Sequence, residues 1–351
     1  MTDALAVVVV THNSAGKLAA LATSLAGQLE PDDEFVVVDN ASADGTVALA
    51  ATLGERVAVI EAGANAGFAA ACRLGVEATG APLLCLLNPD TLLAAGALER
   101  LRAVAAEHPD WAAWQPVVML PDGRINVAGG VVHYLGIGWA GQCGRDAGEL
   151  ATVPYEAAFA SGAALVVRRE IWRELDGLRD DYFLYGEDLD LGLRLWLAGR
   201  RVGVEPRARV IHDYEFDKGA RKWYLLERNR WRTVLATYPL GLLVLVTPAL
   251  LVAELGLLVV AARGGWLGGS ILLTAALWLA QSTLGRRRVV TGGMGPAEAA
   301  SILGVAQSAE REDIEAAYRR LMFRVHPDHG GAAGLAAQLN AARSVLLDSR
   351  R

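Results

Sequence analysis

The chain has 351 residues, of which 53% are hydrophobic, and a formal net charge of −6 at pH 7. This length exceeds that of an average domain and predicts two or three domains. The mildly acidic balance argues against a nucleic-acid-binding protein, which needs a basic surface. The chain does not open with a charged segment followed by a long apolar run, so no signal peptide is expected.

Short apolar runs alternate with segments of helical spacing through the first hundred residues. This alternation predicts an α/β fold with a mostly parallel, doubly wound sheet. The expected strands are Leu5–Val10, Phe35–Val38, Val57–Ile60 and Leu83–Leu87, and the expected helices are Ala15–Leu29, Thr46–Leu53, one that ends at Ala78, and Ala95–Glu107.

Acidic residues stand where two of these strands end and again in the segment FLYGEDLDLGLR (183–194). Asp39 follows the second strand and Asp90 the fourth, and Glu187, Asp188 and Asp190 lie in an otherwise apolar stretch. Buried carboxylates are costly unless water, a cation or a reaction uses them. Since ligands bind at the carboxyl ends of parallel strands, these acids are expected to line one crevice that holds a divalent cation and a polar substrate.

The three cysteines, Cys72, Cys85 and Cys143, have no metal-type spacing. We expect reduced thiols in the core, which suits the cytosol.

Two apolar stretches, Leu240–Ala262 and Trp266–Leu284, follow the α/β region. Their length and the arginines on both flanks predict a transmembrane hairpin with cytoplasmic ends. Glu254 lies in the first stretch, where it is either a functional acid or, as we favour, tolerated by burial against the partner helix. An interfacial or re-entrant hairpin that does not cross is the alternative.

Six segments resemble the family 2 glycosyltransferases of GT-A fold, especially their rhamnosyltransferase-like branch. The resemblance covers residues 5–235, about two-thirds of the chain. The segments are VVVVTHNS (7–14), VVVDNASADGT (36–46), NAGFAAACRLG (65–75), LLNPDT (86–91), ASGAALVVRRE (160–170) and FLYGEDLDLGLR (183–194).

The resemblance implies a nucleotide-diphosphate sugar as the donor. Asp39 would accept hydrogen bonds from the base or ribose of the donor; the alternative is that it caps the next helix. Asn65 would lie near the donor; the alternative is that it forms an ordinary turn. The implied donor-binding residues are Thr11, Asn13, Asp39, Asn40, Asn65, Gly67, Asn88 and Asp90.

Asn88-Pro89-Asp90 occupies the place of the family's metal motif, often written Asp-x-Asp. Asn88 replaces the first acid, which leaves Asp90 as the motif's carboxylate. The resemblance implies Mg²⁺ or Mn²⁺ held by Asp90, the donor diphosphate and His212. A buried structural role is the alternative for His212.

In this family the second residue of the Glu-Asp pair is the catalytic base, which implies that Asp188 deprotonates the acceptor hydroxyl and that transfer inverts the anomeric centre. Glu187 is the second candidate for the base. Ser161, Gly162 and Asp190 are the implied acceptor-side residues. The alternative is that these acids serve only as favourable negative charges at the N-terminus of the following helix.

Basic and aromatic residues interleave just before the first apolar stretch, at Arg221, Lys222, Trp223, Tyr224, Arg228, Arg230 and Trp231. This pattern suits anionic headgroups or a lipid diphosphate acceptor, or serves only to fix membrane topology.

Residues 296–348 resemble a J-domain of the short type that lacks a fourth helix. The string YRRLMFRVHPDHGG carries the resemblance, supported by a first helix at Pro296–Leu303 and an apolar stripe that includes Ile314 and Tyr318. The resemblance implies that His326, Pro327 and Asp328 contact a DnaK-type chaperone. A two-helix cap and a metal site at His326 are the alternatives.

The sequence therefore predicts a GT-A domain (1–235), a transmembrane hairpin (238–285) and an all-α J-domain (294–351). The predicted function is that of an inverting family 2 hexosyltransferase at the cytoplasmic membrane, with both soluble domains in the cytoplasm. It would move a sugar, with rhamnose from a dTDP donor as one candidate, to a lipid-linked or polysaccharide acceptor. The alternative is a membrane-tethered co-chaperone whose glycosyltransferase-like domain binds without catalysis.

Overall fold

The computed structural model describes residues 3–150, 152–214, 219–263 and 296–306, and single positions or short runs between 309 and 347. The chain divides into two compact units, Met1–Thr274 and Ala275–Arg351. The second predicted membrane segment and the residues His326, Pro327 and Asp328 lie outside the described residues.

Four parallel strands in the order β4-β1-β2-β3 form the N-terminal half of the first unit. The predicted strands are confirmed to within one residue at each end. The first helix ends before the predicted Leu29, because Gln28 N donates to Leu25 O in an i→i+3 bond that closes the last turn. The strands are β1 Leu5–Thr11, β2 Glu34–Asp39, β3 Val57–Glu61 and β4 Leu83–Leu87, and the helices are α1 Ala15–Ala26, α2 Thr46–Ala50, α3 Phe68–Glu77 and α4 Ala97–Glu107.

The second half makes the sheet mixed rather than mostly parallel. β11 runs antiparallel between β4 and β6, and β12 is parallel to β6 but antiparallel to β5. The strands are β5 Thr91–Leu93, β6 Trp111–Met119, β7 Ile125–Val127, β8 Gly130–Val132, β9 Gly138–Ala140, β10 Tyr155–Glu156, β11 Ala164–Arg168 and β12 Arg201–His212, with helices α5 Arg169–Glu174 and α6 Glu187–Leu197.

These two antiparallel pairings bring distant segments to one edge of the sheet. β11 starts where β4 ends, so Asn88 N donates to Ala163 O (3.0 Å) and the Ser161–Ala163 turn lies beside the predicted metal motif. β12 ends opposite Thr91 of β5, which sets His212 beside Asp90.

β1 lies at the centre of the sheet and is buried along its whole length. Alternate side chains point to opposite faces of a strand. Val7 and Val9 therefore pack with Leu21 of α1 on one face, while Val8 packs with Cys72 of α3 on the other. This two-sided burial explains why the strand reads as a continuous apolar run.

The segment that precedes α6 has an unusual backbone. Phe183, Tyr185 and Gly186 have φ values of 64°, 69° and 84°. Phe68 N at the start of α3 donates to Phe183 O (2.7 Å), and the Asn229 side chain donates to backbone oxygens of the same segment. Contacts from two helices thus hold a conformation that costs of order 1–3 kcal/mol per strained residue.

Between residues 219 and 306, the described residues form three further helices. They are α7 Gly219–Thr237, α8 Leu240–Arg263 and α9 Pro296–Leu303. Within the described residues, Leu240–Val260 is the helical segment long and apolar enough to cross a membrane. In the second unit, α9 coincides with the predicted first J-domain helix, and its Leu303 is buried with Ile314, Ala342 and Leu346.

Gly67 is the point at which α3 meets the segment before α6. Its φ of 91° and ψ of 172° lie in a region that is essentially restricted to glycine. A Cβ atom there would come within 2.3 Å of Phe183 O. Only a residue without a side chain permits this approach.

Gly67→Ala should therefore lower the free energy of unfolding of the first unit by about 2–4 kcal/mol, from the clash and the backbone strain together. Gly63→Ala is the matched control, because Gly63 also has a positive φ of 74° but nothing lies within 4 Å of its Cβ position. Urea unfolding followed by tryptophan fluorescence measures both. Equal losses in the two variants would contradict the close approach.

Candidate active site

A cleft of about 590 Å³ opens at the sheet edge where these segments meet. Its wall includes the end of β4, the turn before β11, the start of α6 and the end of β12. The sequence-predicted residues that line it are Asn88, Ser161, Gly162, Glu187, Asp188 and His212. Part of each of the metal, base and acceptor-side predictions thus lies at one cavity, whereas Asp39, Asp90 and Asp190 are not among its lining residues.

Asp188 lies in the first turn of α6 and is held by backbone amides. Its Oδ2 accepts a hydrogen bond from Gly162 N (2.9 Å), and its Oδ1 accepts one from Leu189 N (2.8 Å). Burial raises the pKa of the Asp188 carboxyl, while these amides act in the opposite direction. Hydrogen bonds to a carboxylate favour its ionised form.

Glu187 is its neighbour and lacks that support. The residue is 5% exposed, and its Oε2 has no hydrogen-bond partner. Burial, and then the charges of Asp188 and Asp190, raise the pKa of Glu187 from 4.5 to about 8. At neutral pH this carboxyl therefore keeps its proton.

The two acids share one proton, and the structure indicates where it resides. Two close carboxyl groups titrate as a pair, so the better-solvated or better hydrogen-bonded member ionises first. Asp188 accepts two amide hydrogen bonds, and Glu187 has a buried oxygen without any. Asp188 is thus the charged member and the one able to accept a proton.

Asp190 does not face the cleft, contrary to its predicted acceptor-side position. It is fully buried, where it accepts hydrogen bonds from Tyr182 Oη (3.0 Å) and Arg194 Nε (2.7 Å). On a helix, residues three apart lie on adjacent positions of one face, so Asp190 follows Glu187 inward rather than Asp188 outward. Its function is to fasten α6.

Asp90 and His212 form the pair predicted to bind a metal. His212 Nε2 lies 3.1 Å from Asp90 Oδ1, yet that oxygen is buried without a hydrogen-bond partner. His212 Nδ1 is 3.4 Å from Asn126 Oδ1. Burial tends to raise the pKa of Asp90, but the adjacent His212 outweighs it and the pKa is lowered.

The separation of these two atoms fits a hydrogen bond between the side chains and equally fits two ligands of one cation. Two ligand atoms about 2.1 Å from an ion and at right angles are about 3 Å apart. Within the part of the chain that the structure describes, no group of three or more His, Cys, Asp or Glu side chains could hold a metal. A cation here would therefore need ligands from the substrate or from water.

The predicted donor-binding residues at the ends of β1 to β3 form a polar network outside the lining of this cleft. Asp39 is 2% exposed, and its two oxygens accept hydrogen bonds from Thr11 and Ser42. Its carboxylate orders the loop after β2. Direct donor binding by Asp39 stays a prediction.

Asn40 continues this network towards α3. Its Nδ2 donates to Asn65 Oδ1 (3.1 Å) and to Gly67 O (3.0 Å). Asn13 and Asn65 are exposed and can still face a ligand. Gly67 links the network to the segment before α6, and so to the acids of the cleft.

Several lining residues were not predicted for the site. Asn126 of β7 and Trp139 of β9 come from short strands with no sequence signal. Tyr214 lies two residues after His212, and Lys222 Nζ donates to its Oη (2.7 Å). Lys222, predicted to meet anionic headgroups or a lipid diphosphate acceptor, lines the cleft.

Two further expectations are corrected. Cys143 is exposed and lines the cleft, whereas Cys72 and Cys85 are buried as predicted. Two of the arginines in the basic-aromatic segment contact protein: Arg228 donates to Tyr182 O, and the Arg230 side chain is 4% exposed and paired with acids. Helical spacing reveals the pairing of Arg230 with Glu227 but not its contact with Glu254.

The fold and the cleft define a GT-A glycosyltransferase. The protein-family model described as Glycosyl transferase family 2 matches residues 6–174. N-acetylglucosaminyl-diphospho-decaprenol L-rhamnosyltransferase of Mycobacterium tuberculosis is 31% identical over 242 residues, which cover 62% of this chain and 79% of that protein. The chain belongs to the family 2 glycosyltransferases, and the predicted GT-A fold and glycosyltransferase class are confirmed, while the transmembrane hairpin stays a prediction.

Solved structures agree on the fold. GalNAc-T7 with UDP, GalNAc and Mn²⁺ has a TM-score of 0.55 at 17% identity, over 66% of this chain and 48% of that chain. The mannosyltransferase PcManGT from Pyrobaculum calidifontis, in complex with GDP-Man and Mn²⁺, has a TM-score of 0.50 at 15% identity, over 100% of this chain and 89% of that chain.

The C-terminal segment matches a different family. The DnaJ domain model covers residues 301–351. The mitochondrial import inner membrane translocase subunit TIM14 of Dictyostelium discoideum is 47% identical over 53 residues, 15% of this chain and 47% of that protein. The predicted J-domain is confirmed, while the domain boundaries stay predictions.

Glu187→Gln should flatten the pH dependence of stability. A carboxyl whose pKa is raised on folding stabilises fully below its unfolded pKa, near 4.5, and that contribution is lost as pH rises through the folded value, about 8. The melting temperature of the wild type should therefore fall relative to that of the variant between these limits. The exposed Glu174→Gln is the control, and parallel curves for wild type and Glu187→Gln would contradict a retained proton.

Proposed function

We propose that this glycosyltransferase moves a hexose, with dTDP-rhamnose as the leading donor, to a lipid diphosphate-linked acceptor at the cytoplasmic face of a membrane. The observation that carries the proposal is Asp188, a carboxylate that lines the cleft with His212, the partner of Asp90, and accepts a hydrogen bond from Gly162 N. It is supported by the relative from Mycobacterium tuberculosis, whose name describes a rhamnosyl transfer to a lipid-linked diphosphate sugar.

Asp188 would act as the general base. It would accept the proton of the acceptor hydroxyl as that oxygen attacks the anomeric carbon and the bond to the diphosphate breaks. A single displacement inverts the anomeric centre. The proton on Glu187 would keep a second negative charge away from the anionic donor, so Glu187 acts through the charge of the cleft and not as the base.

A divalent cation, Mg²⁺ or Mn²⁺, would be held by Asp90 and His212 together with donor phosphate oxygens. The unpartnered Asp90 Oδ1 and the 3.1 Å separation from His212 support this assignment. When bound, the ion would neutralise charge on the leaving diphosphate. One carboxylate and one imidazole suit Mn²⁺ better than Mg²⁺.

Asp188→Asn tests the base. Removing a general base should lower kcat about 10²–10⁴-fold, while the KM for the donor changes little because the amide keeps the shape of the side chain. Purified full-length protein is assayed with a panel of nucleotide sugars and a polyprenyl-diphosphate sugar acceptor. The exposed Asp176→Asn is the control.

Two outcomes of this assay would count against the proposal. Turnover by Asp188→Asn close to that of the wild type would place the base elsewhere. An inactive wild type across the donor panel, with the fold intact, would favour the non-catalytic scaffold.

We also propose that the J-domain recruits a DnaK-type chaperone in the cytoplasm through His326, Pro327 and Asp328. The DnaJ domain match over residues 301–351 is the observation that favours this second function. The chemistry of the two functions is separate, so each can be removed alone.

His326→Gln should abolish stimulation of ATP hydrolysis by a DnaK-type chaperone and leave sugar transfer at the wild-type rate. His329→Gln, at the neighbouring histidine, is the matched control and should stimulate normally. Steady-state ATPase assays with the full-length chain measure the effect. Unchanged stimulation by His326→Gln would remove the proposed contact.

A further inference from the structure

One face of α8 is fixed to the catalytic unit along most of the helix. Leu243, Val246, Leu250 and Leu257 follow one another at spacings of three, four and seven residues, which places them on one stripe. Val246 and Leu250 are buried against Val234 of α7, and Leu257 lines the active-site cleft. The stripe therefore joins the helix to both α7 and the cleft.

Glu254 lies on the same stripe, between Leu250 and Leu257. It accepts hydrogen bonds from Arg230 and from Trp231 Nε1 (3.2 Å), both on α7. Arg230 also donates to Glu227 (2.8 Å) and to Leu135 O (3.0 Å) in the turn between β8 and β9. Within the described residues, the partners of this acid lie on the preceding basic helix, and the predicted partner helix lies outside those residues.

The opposite face of α8 is apolar and exposed. Val244, Leu251, Leu255 and Val259 are 67%, 59%, 64% and 51% exposed. They succeed one another at spacings of seven, four and four residues and so form a second stripe. Exposed apolar surface of this extent marks a membrane or protein contact.

The docked stripe is difficult to reconcile with a helix that crosses a bilayer. From Leu243 to Leu257 it occupies about 21 Å of the helix, and the six residues beyond it to Arg263 add only about 9 Å, against a hydrocarbon core of about 30 Å. A crossing orientation would draw α7, with Arg230 and Glu227, into the hydrocarbon. Charged groups there are costly.

Exposed aromatic residues lie at the cleft and in the turn next to it. Trp139 and Trp223 line the cleft and are 48% and 36% exposed, and Tyr134, in the turn between β8 and β9, is 57% exposed. Tyr238, at the turn into α8, donates to Tyr134 O (3.0 Å). Tryptophan and tyrosine are enriched at the level of lipid headgroups.

We propose that α8 lies in the plane of a lipid bilayer surface. Its docked stripe (Leu243, Val246, Leu250, Glu254 and Leu257) contacts the catalytic unit, and its exposed stripe (Val244, Leu251, Leu255 and Val259) lies in the acyl chains. The active-site cleft then opens onto the membrane. An isolated interfacial helix needs a polar face towards water, and here the catalytic unit covers that side of α8 instead. The occupant of the exposed face is thus a bilayer and not a second protein.

Depth measurements separate this arrangement from a crossing helix. On a Cys143→Ser background, Val244→Cys, Leu251→Cys, Leu255→Cys and Val259→Cys are labelled one at a time with a fluorophore. Cys72 and Cys85 are buried, so they do not compete for the label. The full-length chain is bound to phosphatidylcholine–phosphatidylglycerol vesicles that carry bromine at shallow or deep acyl positions.

An in-plane helix predicts four depths that agree within about 5 Å, whereas positions 244 and 259 of a crossing helix would differ by up to about 22 Å along its axis. A label at Trp139→Cys should be quenched by the shallow bromines, and one at the exposed Ala20→Cys should not be quenched. A depth gradient along α8, or no quenching at any of its four positions, would overturn the proposal. Because no turnover is measured, failure here is distinct from failure of the proposed function.

Discussion

The distribution of one proton between two adjacent carboxyl groups is the constraint on which the site depends. Both acids begin the same helix, yet their surroundings differ: Asp188 meets the amides of Gly162 and Leu189, and Glu187 has a buried oxygen without a hydrogen-bond partner. The amides favour the ionised form of Asp188, the proposed base, and burial favours the protonated form of Glu187. Neighbouring residues of one helix thus favour different protonation states, because their side chains lie in different surroundings.

Glu187 and Asp188 follow a strained segment, residues 183–186, which contacts from α3 and α7 hold in place. Gly67 lets α3 approach Phe183 O, and Asn229 of α7 supplies amide donors to the neighbouring carbonyls. The same α3 connection leads back to the polar network of Asn40 and Asn65. Residues from widely separated parts of the chain are therefore coupled through backbone contacts and not through long side chains.

Sequence patterns predicted the parallel strands and the main acids because both obey short-range rules. Apolar runs such as Leu83–Leu87 and the acids after them need no tertiary information. The antiparallel pairing of β11 and the outward or inward direction of Asp188 and Asp190 depend on long-range pairing and on helical phase. Cys143 and Arg230 were misjudged for the same reason, since burial of a single side chain is decided by partners such as Glu254 that the local sequence does not reveal.

Arg230 touches the β8–β9 turn, its own helix and the apolar helix with a single guanidinium. A planar fork with five donors makes such a three-way joint possible, and a lysine could not reproduce it. The β8–β9 turn at the wall of the cleft and the apolar helix are consequently joined through one side chain. With α8 on a bilayer as proposed, a change in bilayer thickness or packing that tilts the helix would act on the wall of the cleft.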